Sequence, residues 1–475
     1  MNREGEVAQV AAEFEDVALG DARLDERLKR IVAMAAGSPR DSFPEQMQTV
    51  ADREALYRFL SNPKVTIENV LGGHVQQTHG RVHGHEVVRV VHDTTTFRFT
   101  GERDGLGSIR GGAMGFLAHV ALAVSAEESR EPLGVLGVRP YIHQDAVAHR
   151  GMTRSQRVAA SRAKSRDNKE SSRWEKLAVD VSTALPEGTR AIHVMDQEAD
   201  DYDLLAAMHD ARLGFVVRAD PGRQTADDGL CVKEVLAAKP ARVFRTVSLT
   251  PRSQKKAVVT RGRHPARSER DAALKIRWGR ISIRRRQYTQ SEVRELSFAA
   301  VHVFEPKPPP GEEPIDWMLF TSEPVNSFED ATAIVDHYRA RWLIEEYFKA
   351  LKTGCAFEKR QLTNYDGLLR ALGLFVPMAW HMLALRHLGR APTSMPARHL
   401  FNEEQLLLLR TLLAQRAYLL PVAPTVRDAM LGVAALGGHI KNNGYPGWFV
   451  LGRGFTRFLD AQEVWLLARQ RSDQS

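Results

Sequence analysis

The chain has 475 residues, 43% of them hydrophobic, and is long enough for two or three domains with a substantial core. Its net charge of +8 is moderate, and its two cysteines, Cys231 and Cys355, lie far apart without a CxxC neighbour, which excludes a disulfide framework and a zinc ribbon. Met1–Ala36 contains no signal-peptide core, and the Leu-rich run 406–420 is broken by Arg410 and Arg416. We therefore expect a cytoplasmic protein without a membrane span.

The first 75 residues are predicted to be helical. They contain an apolar stripe and a second short one at 54–60, and Asn62-Pro63 ends the region because proline stops a helix. The stripe consists of Leu24, Leu28, Ile31 and Val32. Arginines at 23, 27 and 30 lie on another face, where they contact either phosphates or only solvent.

From His85 the pattern changes to short β-rich runs, which predict strands at 87–91, 118–124 and 134–138. A helix is predicted to begin near Ser171, followed by a strand at 191–195, a helix at 199–212 and a strand at 215–217. Strand, helix, strand in this order indicates a partly parallel sheet.

A basic block follows at Ala241–Gln290, where fifteen Lys or Arg face two acids and give a local charge of +13. Such a concentration favours a polyanion partner, commonly nucleic acid, with a membrane surface as the alternative. Strands are predicted at 243–249, 256–259, 276–283 and 296–304, so the block resembles a β-rich insertion. A Pro-rich loop at 306–314 precedes a strand at 317–320.

The remaining chain is predicted to be mostly helical, at 368–388, 403–420, 426–436 and near Ala461. Before it, Asp336–Gly354 is predicted as one helix. At about 100° per residue, its Tyr338, Arg341, Glu345 and Lys352 share a face that suits a phosphate backbone. Ordinary solvated ion pairs are the alternative.

Three carboxylates stand where an α/β core could bring them together. Asp93 follows the strand VVRVVH, Asp196 ends the strand AIHVM, and Glu345 lies on the helix. Oxygen ligands of this kind suit Mg²⁺, which activates water and stabilises a leaving oxyanion in phosphodiester cleavage. Each aspartate taken separately is as consistent with a turn former or a helix N-cap.

These residues resemble the DDE transposases of bacterial insertion sequences, in the cut-and-paste group with a Y-R-E-K helix. The signature has Tyr338, two residues, Arg341, three residues, Glu345, six residues and Lys352. Further matches run through most of the chain: ALGDARLDERL, LYRFLSNP, HDTTTF, MDQEAD, FVVRAD, WMLFTSEPV and, more weakly, GYPGWFVLGRGFTRF.

The resemblance implies an α/β fold with a ribonuclease-H-like catalytic core, a mixed sheet flanked by helices. The core would span 76–365 with a β-rich basic insertion at about 221–315, between a DNA-binding helical domain at 1–75 and a helical dimerisation domain at 366–475. Asp93, Asp196 and Glu345 would bind Mg²⁺, for which Mn²⁺ substitutes, with no small-molecule cofactor.

The implied reaction nicks one strand at the transposon end, forms a hairpin by attack of the freed 3′-hydroxyl, reopens it and joins the ends to target DNA. Phosphate contacts are implied for Tyr338, Arg341, Lys352 and Arg218, and Trp317 would stack on a flipped base. Lys349 is implied to lie near DNA. The partners would be the terminal repeats, target DNA and a second protomer in the synaptic complex, in a bacterial cytoplasm at the nucleoid.

Two departures from the family pattern are Gln197, where relatives have Arg, and Phe348, where they often have His. Neither removes a metal ligand. Two alternatives remain open: a ribonuclease-H-like nuclease without strand transfer, and a DNA-binding regulator that keeps the fold without the chemistry.

Overall fold

The computed structural model describes residues 10–109, 113–142, 153, 155–156, 170–226, 229–249, 251, 267–285, 289–390, 395–399, 401–416, 418–440 and 445–472. The predicted strand at 256–259 lies outside these residues.

The helices of the described residues are, in chain order, α1 Ala22–Gly37, α2 Phe43–Gln46, α3 Val50–Leu60, α4 Ile67–Val82, α5 Glu170–Ala184, α6 Tyr202–Asp210, α7 Val232–Ala237, α8 Phe328–Arg339, α9 Trp342–Lys349, α10 Tyr365–Arg390, α11 Glu403–Ala414, α12 Val426–Leu436 and α13 Trp448–Ser472. The strands are β1 Val87–Phe99, β2 Gly107–Ser108, β3 Met114–Ser125, β4 Pro132–Tyr141, β5 Arg190–Met195, β6 Gly214–Ala219, β7 Arg242–Leu249, β8 Arg270–Arg284, β9 Glu295–Phe304 and β10 Asp316–Thr321. Short 3₁₀ turns occupy Val10–Phe14, Gln197–Ala199, Phe357–Lys359 and Ala397–His399, and a π-helical turn occupies Ala350–Gly354.

The chain forms two compact units. The sheet unit comprises Glu86–Asp93 and Met152–Trp342, and the helical unit comprises Met1–His85, Thr94–Gly151 and Leu343–Ser475. Strand β1 therefore begins in the sheet unit and ends in the helical unit, and α9 crosses the same division. These units are defined by contacts, so the predicted three-domain division by role remains a prediction.

The sheet unit is built on a mixed sheet in the order β1-β5-β6-β10-β9-β8-β7. β1, β5 and β6 run parallel, and β10, β9, β8 and β7 continue the sheet antiparallel. Helices α5, α6 and α7 cover one face through a shared core that includes Phe215, Phe298 and Phe320. α8 packs on the opposite face. The strands of the basic block thus extend the sheet itself.

The helical unit is organised around α10, which contacts α4, β4 and α12. This helix is long and apolar enough to cross a membrane, as one such helix among the described residues, but 89% of its most apolar stretch is buried inside the protein. A core helix of a globular protein meets the same description. Further along, α11, α12 and α13 share a second core around Leu409, Met430 and Phe458.

The predicted fold class is confirmed: a mixed α/β sheet flanked by helices, with helical N- and C-terminal regions, as expected for the ribonuclease-H-like core of a DDE transposase.

The prediction of one continuous helix from Asp336 to Gly354 is wrong. α8 ends at Arg339, where the N–H groups of Ala340 and Arg341 bond back three residues, to His337 and Tyr338, instead of four. α9 begins at Trp342, and the chain then widens into the π-helical turn at Ala350–Gly354. The regular rotation of 100° per residue is therefore interrupted between Tyr338 and Lys352, so it does not establish a common face for the four signature residues.

Candidate active site

Asp93 and Asp196 lie side by side in the sheet unit. β1 pairs with β5 in parallel up to Val91 and Val194, and two further residues in the same register bring Asp93 opposite Asp196. Neighbouring strands are about 4.8 Å apart, and residues in register point to the same face. Both aspartates are partly exposed. The register therefore places the two aspartates next to each other where the pairing with β5 stops.

Asp196 also caps the 3₁₀ turn that follows it. Its Oδ1 accepts a hydrogen bond from the N–H of Glu198 at 2.9 Å. The capping role left open by the sequence is thus present, and it orients one carboxylate oxygen without excluding a ligand at the other.

Arg341 neutralises the first aspartate. Its Nη1 lies 3.2 Å from Asp93 Oδ2, and both side chains are about one-sixth exposed. A charge-assisted contact in such a partly buried place holds both groups at the site. Arg341, which lies at the break between α8 and α9, is thus the residue that reaches the carboxylate.

Tyr338 is close enough to Arg341, Arg218 and Asp196 for their charges to act on its phenol. Burial raises the pKa of its phenol, whereas the charges of Arg341 and Arg218 oppose this rise, Asp196 adds to it and a hydrogen bond with Arg218 lowers it. Trp317 packs edge-on against Tyr338, with ring centroids 5.4 Å apart. The phenol therefore stays protonated and can donate to an anion.

The sheet unit thus brings together six of the predicted site residues: Asp93, Asp196, Arg218, Trp317, Tyr338 and Arg341. The other three, Glu345, Lys349 and Lys352, belong to the helical unit, on α9 and the π-helical turn. Lys352 Nζ donates to the carbonyl of Thr96 at 2.6 Å, and Lys349 pairs with Glu346 at 2.8 Å. The grouping of Glu345 with the two aspartates remains a prediction.

Within the described residues, no group of three or more His, Cys, Asp or Glu side chains is arranged to hold a metal ion. Two adjacent carboxylates nevertheless fit a hard divalent cation, because Mg²⁺ is commonly bound through one or two carboxylates together with water and substrate phosphates. Asp93 and Asp196 supply this donor set. Arg341 supplies the positive charge beside them.

Arg89 is a site neighbour that the sequence reading missed. It is 4% exposed, and its Nε donates to Nδ1 of His337 at 3.0 Å, beside Tyr338 on α8. Burial, followed by the charge of Arg89, lowers the pKa of His337 to about 4, so the imidazole is neutral and can accept this bond. Strand alternation could have found Arg89, which is four residues before Asp93 on the same face.

Two protein families match the chain. Residues 8–65 match the family described as transposase DNA-binding, and residues 166–376 match the transposase DDE domain. The second match contains Asp196 and Glu345, whereas Asp93 precedes it. Together the matches support a DDE transposase with a DNA-binding region, although neither match alone covers half of the chain. The narrower Y-R-E-K, hairpin-forming group stays a prediction.

Among solved structures, the chain resembles the cryo-EM structure of the piggyBac transposase synaptic complex with hairpin DNA. The identity is 9%, over 91% of this chain and 70% of that chain, with a TM-score of 0.32. A similarity at this level carries no argument about the site.

Proposed function

We propose that the chain is a DDE transposase that binds the terminal inverted repeats of an insertion sequence, cuts DNA with Asp93, Asp196 and Glu345, and joins the 3′ ends to target DNA through a hairpin intermediate. The observation that carries the proposal is the parallel register of β1 and β5, which leads to Asp93 and Asp196 two residues further on, together with the contact of Arg341 with Asp93. Divalent ions held by these carboxylates would lower the pKa of the attacking water and stabilise the leaving oxygen.

The basic and aromatic residues of the sheet unit have separate roles in this proposal. Arg341 and Arg218 bind the phosphates next to the cut, and Tyr338 donates a hydrogen bond from a phenol that burial keeps protonated. Trp317 offers its ring to a base displaced from the stack. Lys352 and Lys349 add phosphate contacts from the helical unit.

The terminal segments serve recognition and assembly. The N-terminal helices, within the region matched as DNA-binding, contact the repeat, and the C-terminal helices pair two protomers in the synaptic complex. Mg²⁺ is the expected ion, and Mn²⁺ the expected substitute.

Cleavage of a duplex that carries the element's own terminal repeat tests the proposal. Wild type with Mg²⁺ should give nicked and hairpin products on a denaturing gel, and EDTA should abolish both. Asp196→Asn and Glu345→Gln should reduce the nicking rate about a hundredfold or more. Asparagine also caps turns well, so Asp196→Asn keeps the backbone in place.

Glu187→Gln is the matched control. Glu187 is exposed in the turn before β5, at the opposite end of that strand from Asp196, and its loss should leave nicking unchanged. Nicks without hairpins would contradict the hairpin pathway and indicate a nuclease. Specific binding without cleavage by wild type would indicate a DNA-binding regulator.

A further inference from the structure

Three aromatic side chains meet on the sheet unit where α8 begins. The ring of Phe328 lies 6.3 Å from that of Phe244 on β7 and 6.4 Å from that of Trp278 on β8, measured between centroids. All three are partly exposed. We call them the aromatic cluster. Such rings can pack as a surface core or stack on the bases of a nucleic acid.

Arginines surround the aromatic cluster. The guanidinium carbon of Arg242 lies 5.8 Å from the centre of the Trp278 ring, and that of Arg245 lies 4.1 Å from the centre of Phe244. Arg280 follows Trp278 by two residues and so shares its face of β8. Arg242 and Arg280 are exposed. Exposed arginines over aromatic rings combine phosphate binding with stacking.

Nearby acids offset only part of this charge. Asp336 is bound by two arginines, Arg245 at 2.9 Å and Arg339 at 3.0 Å. Asp330 faces the start of α8, where it accepts hydrogen bonds from the N–H groups of Asn326 and Ser327. Glu329 is exposed beside Phe328 and is the opposing charge in the first turn.

α8 connects the aromatic cluster to the candidate active site within the sheet unit. Phe328 begins the helix and Tyr338 is near its end, and ten residues at about 1.5 Å each span roughly 15 Å. A strand that passes the active site can therefore reach the cluster without a long detour.

We propose that the aromatic cluster, with Arg242 and Arg280, is a second DNA-contact surface that holds a single strand by base stacking, roughly 15 Å along α8 from Tyr338. The proposal rests on the proposed function for the identity of its partner. Partly exposed rings with flanking arginines suit unpaired bases, because every base offers a flat face and no sequence is read.

Binding of a labelled oligo(dT) of about twelve nucleotides, measured by fluorescence anisotropy in EDTA, tests this surface without requiring cleavage. Trp278→Leu keeps much of the apolar volume but removes the ring, and its Kd should rise about fivefold or more. Arg242→Gln/Arg280→Gln should weaken binding and reduce the salt slope by about 1.4, at roughly 0.7 per lost phosphate contact. Trp278→Phe should restore most of the affinity.

Arg212→Gln/Arg294→Gln is the matched control, because both arginines are exposed in the same unit and the same charge is removed. If this control weakens oligo(dT) binding as much as the proposed pair, general charge explains the binding and the surface is refuted. Wild-type affinity in both Trp278→Leu and the arginine pair would also refute it. The oligo(dT) measurement does not depend on cleavage. Absence of cleavage by wild type would therefore contradict the proposed function without deciding whether this surface binds DNA.

Discussion

At Glu13, a carboxylate that is 3% exposed is held by two partners in the helical unit. His74 Nδ1 lies 2.5 Å and Arg81 Nη1 2.8 Å from its oxygens. Arg81 also stacks on Trp380, 4.1 Å from the ring centre. Burial raises the pKa of Glu13, but His74 and Arg81 outweigh it and lower the pKa to about 2. Burial lowers the pKa of His74, so Arg81 supplies the positive charge at neutral pH.

We predict that Glu13→Gln lowers the free energy of unfolding by about 3 kcal/mol at pH 7, because the folded pKa lies roughly 2.5 units below the ordinary 4.5. The contribution is present above about pH 4.5 and is lost as the pH falls towards 2. The difference between variant and wild type should therefore shrink over that window. Urea unfolding followed by tryptophan fluorescence measures it. Glu15→Gln, which removes an exposed carboxylate two residues away, should show no such difference.

The two cysteines should react very differently. Cys355 is buried, and burial raises the pKa of its thiol to about 12, whereas Cys231 is partly exposed. Since the thiolate is the reactive form, we predict that a disulfide reagent at pH 8 modifies one thiol in the native protein and the second only after unfolding in guanidinium. Prompt modification of two thiols in the native protein would contradict the burial of Cys355.

At the scale of elements, α12 and α13 approach each other through glycines. A Cβ added to Gly454 would lie 2.0 Å from the carbonyl oxygen of Val433, and one added to Gly437 would lie 2.0 Å from that of Val450. These neighbours are backbone atoms, which cannot turn away as a side chain can. The pair of helices depends on two residues without side chains.

We predict that Gly454→Ala destabilises the protein by about 2 kcal/mol or more, because the helices must separate to admit the methyl group. Thermal melting measures the shift. Gly447→Ala is the control, since a Cβ there would meet nothing within 4 Å. Equal melting temperatures for the two variants would show that the contact between α12 and α13 is not tight in solution.

The break between α8 and α9 could not be predicted from the spacing of the signature residues. The spacing from Tyr338 to Lys352 fits a continuous helix. However, α8 ends where the N–H groups of Ala340 and Arg341 donate to the carbonyl three residues back instead of four. Neither proline nor glycine marks this break in the sequence. The contact of Arg341 with Asp93 lies 248 residues apart in the chain, which local propensity cannot anticipate.

For the whole molecule, the basic block predicts salt-dependent DNA binding. Replacing Lys255, Lys256, Arg284, Arg285 and Arg286 by Gln should reduce the slope of log affinity against log salt by up to about 4.5, at roughly 0.9 per phosphate contact. Of these, Arg284 and Arg285 lie in described residues, and Arg285 Nη1 also donates to the carbonyl of Ser291 at 2.9 Å. Anisotropy titrations over a salt series measure the slope, and an unchanged slope would assign the block another partner.

Much of the sheet unit could be predicted because its signals are local. The runs around 191–195, 215–217 and 317–320 coincide with β5, β6 and β10, since short apolar runs bounded by polar residues specify strands whatever surrounds them. Asp196 directly follows β5, as predicted, whereas Asp93 was predicted to follow a strand and instead lies inside β1, which continues to Phe99. Strand alternation places Arg89 on the same face as Asp93. Its burial was not predicted, because it depends on His337, a partner far away in the chain.

The sequence by itself determined the α/β class, the position of Asp196 at the end of a strand and the excess of positive charge in the basic block, because alternation, turn residues and charge are properties of neighbouring positions. Only the tertiary structure decided that the basic block extends the main sheet, that Asp196 also caps a turn, and that Arg341 leaves the helix to meet Asp93. These features arise from contacts between residues far apart in the chain, whose energies outweigh the small local preferences.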